Sequence, residues 1–378
     1  MIKIENPFLV SGYRTPHYFC DRINETKLLC DHFKNGKNTT LFSIRRLGKT
    51  GLINHVFSAL SKSKKIVCIY VDIYTTTNLK EFTNTLATAI YNVFPEKKGF
   101  GKKIVDAILG LRPVISYDGL TGMPEISLNF TQTRQYEKTI QQIFTFLDNQ
   151  NIQTVLAIDE FQQILEYPEK NVESILRTYI QPLKNINFIF CGSNQKMMHE
   201  IFGNAKRPFF ASCTNMHLGN ISNENYTAFI KMHFSENKKN IESEAIEYIL
   251  EFTHSHTYYT QYVCNRIYAE GLKKIMADDV KAICKNILLE NENTYLQYRN
   301  LLTVQQWKLL TAIAKAEKTG KLHSKDFLKK YDLGTTSTVS RSIISLLEKE
   351  MVYLSNDSTQ NYYSVYDKFL MRWLQYNK

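Results

Sequence analysis

The sequence predicts an α/β fold, a parallel sheet with helices on both faces, followed by a helical region and a small helix-and-hairpin module. Three observations carry this. Apolar runs end repeatedly in small or acidic polar residues, as at Lys65–Asp72, Thr154–Glu160 and Asn187–Ser193. Strands that are apolar along their whole length are those covered on both faces, which is the situation in parallel sheets. Helix-length segments separate these runs, and strand–helix–strand order calls for right-handed crossovers.

The first element is Leu41–Thr50, LFSIRRLGKT, an apolar entry followed by the helix-like GLINHVFSAL. It reads as a phosphate-binding loop, G-x-x-x-x-G-K-[ST], with Ser43 at the first glycine position. A loop ending in Gly-Lys-Thr at a helix N-terminus directs backbone N–H groups and the positive end of the helix dipole at an anion. Ser43, Ile44, Arg45, Arg46, Leu47, Gly48, Lys49, Thr50 and Gly51 are therefore the candidate nucleotide-binding residues. Gly48 admits close approach of the backbone, Lys49 can reach the β/γ oxygens, and the Thr50 hydroxyl can ligate Mg²⁺.

The second element is TVLAIDEFQ, residues 154–162. Ligand groups in open α/β sheets sit at the carboxyl ends of strands, where Asp159 and Glu160 fall. Asp159 is expected to hold Mg²⁺, directly or through water, and Glu160 to orient and deprotonate an attacking water. Loop and acidic pair together predict ATP or GTP binding with hydrolysis. The third element, NFIFCGS at 187–193, ends in Ser193 and Asn194; its likeness to P-loop ATPases of the AAA-like branch implies a polar side chain near the γ-phosphate, Ser193 being favoured and Asn194 a turn residue.

In order along the chain, these residues resemble the archaeal-type ATPases, a branch of the STAND/AAA-related P-loop NTPases. Phe19-Cys20-Asp21-Arg22 with Glu25 is similar to the family's F-x-x-R-x-x-E element, and the resemblance implies that Arg22 lies near the nucleotide base. Arg45-Arg46-Leu47-Gly48-Lys49-Thr50 is similar to its R-R-x-G-K-T loop, in which the first glycine is often absent. Asp159-Glu160-Phe161-Gln162 resembles its D-E-[FI]-Q motif, and Gly192-Ser193 with Met197, Met198 and Phe202 its G-S-x-x-x-x-M segment. Arg207-Pro208-Phe209-Phe210 resembles R-P-[FL]-[YF]. His256, Thr257, Tyr258 and Gln261 resemble a lid motif G-H-P-x-x-x-Q, with Ser255 in place of glycine and Tyr258 in place of proline. Tyr366-Asp367-Lys368-Phe369 with Trp373-Leu374 resembles Y-D-x-F-x-x-x-W-L. The resemblance implies ATP as the nucleotide, Mg²⁺ as its cation and an ATPase switch. Arg207 is a candidate γ-phosphate sensor or finger, with a surface residue before a proline turn as the alternative.

The 378 residues suggest two or three domains. Residues 1–220 are expected to form the ATPase core, with an insertion at about 95–130 that reads as a helix followed by a hairpin or extended segment. Residues 221–300 read as a helical lid and 301–378 as a winged helix. In the latter, Val304–Ala316, Ser324–Lys330 and Ser337–Lys349 are helices, and Met351–Leu354 with Asn361–Val365 a hairpin.

A net charge of +11 favours a polyanionic partner. Yet the third winged-helix helix offers Arg341 and Lys349 beside Glu348 and Glu350, and Lys clusters are spread along the chain. A DNA or protein partner through the winged helix is thus open. No apolar run of 18 residues and no signal-type h-region is seen, so a cytoplasmic protein with no membrane span is expected. Seven cysteines without a C-x-x-C pair suggest reduced thiols, and His254-x-His256 lacks further zinc ligands. Two further readings compete with the switch: a nucleotide-gated DNA-binding regulator, and a scaffold that binds nucleotide for stability alone.

Overall fold

The computed structural model describes residues 6–63, 65–93, 114–117, 119, 121–128, 133–150, 152–356 and 361–376. They divide into two compact units, one spanning Gly12–Gly219 and the other joining the N-terminal residues through Ser11 to Asn220 onward.

In the first unit, helix α1 (Ile23–Lys34) leads into β1 (Thr39–Phe42), which opens through a loop into α2 (Lys49–Leu60). β2 (Ile66–Asp72), α3 (Leu79–Val93), the hairpin β3 (Val114–Tyr117) and β4 (Pro124–Ser127), and α4 (Thr133–Asp148) follow. Then come β5 (Gln153–Asp159), α5 (Val172–Ile180), β6 (Ile186–Gly192), α6 (Gln195–Gly203) and β7 (Thr214–His217). Strands β1, β2, β5, β6 and β7 form one parallel sheet in the order β2-β5-β6-β1-β7. The chain leaves β1 for the far edge at β2, walks back through β5 and β6, and passes β1 to reach β7. The direction of winding therefore reverses at β1, and such a switch point leaves a crevice at the carboxyl ends of the strands.

Thr154–Asp159 and all of β6 are buried, as expected for strands covered on both faces. Beneath the sheet Phe161, Phe188, Phe190, Phe202 and Phe209 form an aromatic cluster with ring centroids 4.5–5.7 Å apart. β7 went unpredicted because Thr-Asn-Met-His carries almost no apolar signal; only Met216 is buried on this edge strand. Of the expected insertion, the hairpin is present, Val114 pairing with Ser127 and Tyr117 with Pro124. The helix expected at about 104–111 lies outside the described residues.

In the second unit, Ser222 caps α7 (Asn223–Glu236), its side chain accepting from the Asn225 N–H. After it come β8 (Asn240–Ile241), α8 (Ser243–Thr253), α9 (Thr257–Ala269), β9 (Lys274–Ile275), α10 (Ala277–Glu290) and α11 (Glu292–Asn300). α9 ends at Ala269, ahead of β9, which pairs with β8 in parallel. Residues 6–11 group with this unit. Phe8 is 1% exposed and packs against Phe229, His233, Phe234 and Tyr268, while Asn6 and Asn265 exchange side-chain-to-backbone hydrogen bonds with Asn265 and Phe8.

The C-terminal part of this unit holds α12 (Val304–Ala316), α13 (Lys325–Lys330), α14 (Thr336–Glu348), the hairpin β10 (Val352–Asn356) and β11 (Asn361–Val365), and α15 (Lys368–Tyr376). Thr303, Ser324 and Thr335 cap the three helices. The Y-D-x-F-x-x-x-W-L residues make α15, which sequence reading had not assigned as a helix. The Asp367 carboxylate accepts from the N–H groups of Phe369 and Leu370 at its start. Phe369 packs on Tyr259 and Tyr262, and Trp373 on Tyr295 and Trp307. Arg372 gives its guanidinium to the carbonyls of Glu251 and Phe252 in the last turn of α8.

Candidate functional site

The β1–α2 loop is held from below by its apolar members, Ile44 and Leu47, both buried. Its backbone enters the left-handed region at Arg46 (φ 63°) and Gly48 (φ 94°), and not at Ser43. This explains why a glycine is dispensable at position 43: the fold asks no unusual φ there. The fully buried Ser43 hydroxyl instead donates to the Ile44 carbonyl at 2.9 Å. At Gly48 the demand is real, because φ near 94° strains any residue with a Cβ. Gly48 is also the N-cap of α2, so Lys49 and Thr50 lead the helix, and Gly51 packs its Cα face toward the Phe19 ring.

Arg22 braces this loop. Its guanidinium is 3% exposed, donates to the Gly219 carbonyl at 2.7 Å and to Glu25 at 2.8 Å, and lies 3.5 Å from the Leu47 carbonyl. Through these bonds Arg22 ties the loop's backbone at Leu47 to Gly219.

Across the crevice, Thr50 Oγ1 donates to Asp159 Oδ2 at 3.0 Å. The Tyr70 hydroxyl, from β2, donates to the same oxygen at 2.7 Å, and Asp159 Oδ1 accepts the Glu160 N–H at 3.0 Å. Burial pushes the Tyr70 phenol well above its ordinary range, with the Asp159 charge adding to the effect. Asp72 stands in register with Asp159, and burial raises its carboxyl, helped by the neighbouring Asp159 and Glu160.

Glu160 begins the turn after β5 with φ 55°. Its carboxylate accepts from the Ser193 hydroxyl at 2.7 Å and from the Gln162 amide. Arg45 Nε in turn lies 3.5 Å from Ser193 Oγ. β6 lies between β1 and β5 in the sheet, which is why Ser193 at its end meets both the loop and the acidic pair. Asn194 is the N-cap of α6, accepting from the Met197 N–H, in keeping with a turn role. Cys191, fully buried in β6, has its thiol pushed far up by burial.

Arg207 stands in a different setting. It forms ion pairs with Glu173 at 3.0 Å and Glu200 at 3.2 Å, so its charge is already balanced by two carboxylates. Sequence reasoning gave no role to Tyr70, Asp72 or Gln162. Gln162 stood in a quoted motif, but which carboxylate it would touch depends on the turn geometry. Tyr70 had no signal and Asp72 only its place at the end of an apolar run, because their proximity to Asp159 depends on which strand pairs with β2.

A family model described as an ATPase domain predominantly from Archaea matches residues 19–263, more than half of the chain. The chain belongs to the archaeal-type ATPase family. A second model, described as "Probable winged helix domain", matches residues 293–376. No curated protein matches the sequence. Among solved structures, the Walker-type ATPase of Pyrococcus abyssi aligns with a TM-score of 0.66 at 15% identity, covering 98% of this chain and 99% of that one. The Aeropyrum pernix ORC2 protein, in ADPNP–ADP complexes, gives 0.57 at 14% identity over 97% and 96% of the two chains. The Aeropyrum pernix ORC1 protein in complex with DNA gives 0.53 at 13% identity over 99% and 97%. At these identities the likeness speaks for the fold: a P-loop ATPase sheet and a C-terminal winged helix.

Within that family fold, Thr50 and Asp159 offer oxygen donors that converge at one point. This is the donor chemistry that Mg²⁺ prefers. Among the described residues no helix is long and apolar enough to cross a membrane.

Proposed function

We propose that this archaeal-type ATPase binds ATP with Mg²⁺ and hydrolyses it as a nucleotide-driven switch of the STAND/AAA type. The observation that carries this reading is the meeting of Thr50 Oγ1 and Asp159 Oδ2, which joins the loop to the acidic strand end. The loop residues Ser43 to Gly51 cradle the phosphates through the backbone and the α2 dipole. Lys49 answers the β/γ charge, and Thr50 and Asp159 hold the cation. When bound, Mg²⁺ supplies charge neutralisation on the phosphate oxygens.

Glu160 takes the role of general base toward water, and Ser193, which already contacts its carboxylate, orients it and stands near the γ-phosphate. Arg22 positions the loop. Arg207 is left out of this set because Glu173 and Glu200 already engage it. We assign residues 12–219 to the ATPase core, 221–300 to a helical lid and 301–376 to the winged helix, in a cytoplasmic protein. The test is ATP turnover and binding for the wild type, Lys49→Ala and Glu160→Gln. Loss of binding in the first and retained binding without turnover in the second support the switch. ATP bound but never hydrolysed, with or without DNA, would leave the scaffold reading.

The alternative is a nucleotide-gated DNA-binding regulator. It is favoured by one observation: Arg341 is exposed on α14, the third helix of the winged-helix module. Its sign is a salt-dependent gel shift that weakens on Arg341→Ala.

A further inference from the structure

The Mg²⁺ reading leaves Tyr70 unexplained. β2 and β5 run parallel with Tyr70 opposite Ala157 and Asp72 opposite Asp159. Residues two apart share a face of the sheet, so Tyr70 is the diagonal neighbour of Asp159, within reach of a long aromatic side chain. Its hydroxyl reaches Asp159 Oδ2 at 2.7 Å, shorter than the Thr50 bond to the same oxygen at 3.0 Å. On the opposite face of β2, Ile69 and Val71 are buried in the apolar core. A phenylalanine at 70 would satisfy the packing that a half-buried ring requires. The hydroxyl's partners are the Asp159 carboxylate, to which it donates, and the Thr50 hydroxyl beside it.

The three hydrogen bonds to Asp159 differ in what a cation would do to them. The Glu160 N–H is fixed by the backbone. The Thr50 hydroxyl is itself a candidate ligand through an oxygen lone pair, so its bond to Asp159 joins two members of the cation site. Tyr70 is the side-chain donor to Asp159 that is not itself a candidate ligand. Outer partners of this kind orient a ligating carboxylate, and removing one weakens metal binding by about 10- to 100-fold.

We infer that Tyr70 is a positioning residue for Asp159 and sets how strongly the chain prefers Mg·ATP over ATP alone. This rests on the ATP and Mg²⁺ reading given above. The test is a titration of the full chain with a fluorescent ATP analogue, in excess Mg²⁺ and again in EDTA, for the wild type, Tyr70→Phe, Asp159→Asn and the double variant. In Tyr70→Phe the affinity in EDTA stays within about twofold of wild type, while the gain conferred by Mg²⁺ falls about tenfold. In the Asp159→Asn background, Tyr70→Phe changes that gain no further, because its effect runs through the carboxylate. A Mg²⁺ gain equal to wild type in Tyr70→Phe overturns the inference alone. So does an equal loss in both media, which would make the hydroxyl a support of the fold. Failure of the wild type to bind the analogue in either medium overturns the ATP reading together with it.

Discussion

Thr50 Oγ1 and Asp159 Oδ2 lie 3.0 Å apart, although 109 residues separate them along the chain. One leads the helix after the phosphate loop and the other ends the acidic strand, so the contact joins the two at the carboxyl ends of the sheet. Asp159 thereby places the adjoining Glu160 where the Ser193 hydroxyl meets it.

Glu160→Gln keeps the shape of the side chain and removes its basicity. Turnover is expected to fall by roughly 100- to 10,000-fold, with nucleotide affinity retained. Lys49→Ala is expected to lose binding as well. Phosphate release and fluorescent-nucleotide titration on the same preparations separate the two.

Gly48→Ala forces a Cβ into a backbone held at φ 94°. The strain is about 1–2 kcal/mol, and relief comes only by moving the loop. Nucleotide affinity is expected to fall while the thermal midpoint drops by a few degrees, read by titration and by calorimetry. Ser43→Gly, where no left-handed φ is used, should leave affinity nearly unchanged.

Gly192→Ala places a Cβ 2.4 Å from Gln162 Oε1 and 2.5 Å from Met198 Cγ and Sδ. Overpacking of this kind costs about 1–3 kcal/mol. The side chain displaced with it is the one that donates to Glu160. Turnover should therefore decline more than affinity, which a comparison of kcat with nucleotide binding will reveal.

His254 offers a pH prediction. Burial, with Lys368 and Arg372 nearby, lowers its pKa from 6.5 to about 4. The unfolded chain thus binds the proton more readily than the folded one between these values, so stability is full above pH 6.5 and is lost as pH falls toward 4. The loss is on the order of 3 kcal/mol at most. Thermal midpoints of wild type and His254→Asn measured across this range should diverge, with the variant less dependent on pH. Asparagine is suited to the site because His254 holds φ 52°.

The sheet was legible because β5 and β6 are apolar from end to end and stop at chemistry-bearing residues. The loop was legible because Gly-Lys-Thr precedes an amphipathic run. The winged-helix helices were legible to within a residue or two because Thr303, Ser324 and Thr335 mark their starts. What escaped depends on pairing. Tyr70 gains its meaning only once β2 is known to lie beside β5. β7 is an edge strand with one buried side chain, so no periodicity announces it. Phe8 reads locally like part of the first domain, and only its partners at 229–268 assign it elsewhere. The serine that replaces the lid motif's glycine, Ser255, takes φ 51° all the same. A substitution in a motif need not change the backbone it encodes.

The anchoring of Asn6 and Phe8 to Asn265 has a consequence for synthesis. These partners are separated by 259 and 257 residues. At about 5–20 residues per second, the ribosome needs roughly 10–50 s to deliver the second after the first. The stretch Gly12–Gly219 is continuous and can collapse on its own sheet during that interval. The Phe8 ring must wait, unburied, until α7 and α9 emerge to receive it. A nascent chain stalled before residue 229 would carry the Gly12–Gly219 unit with the Phe8 ring still uncovered, the kind of exposed surface that holdase chaperones bind.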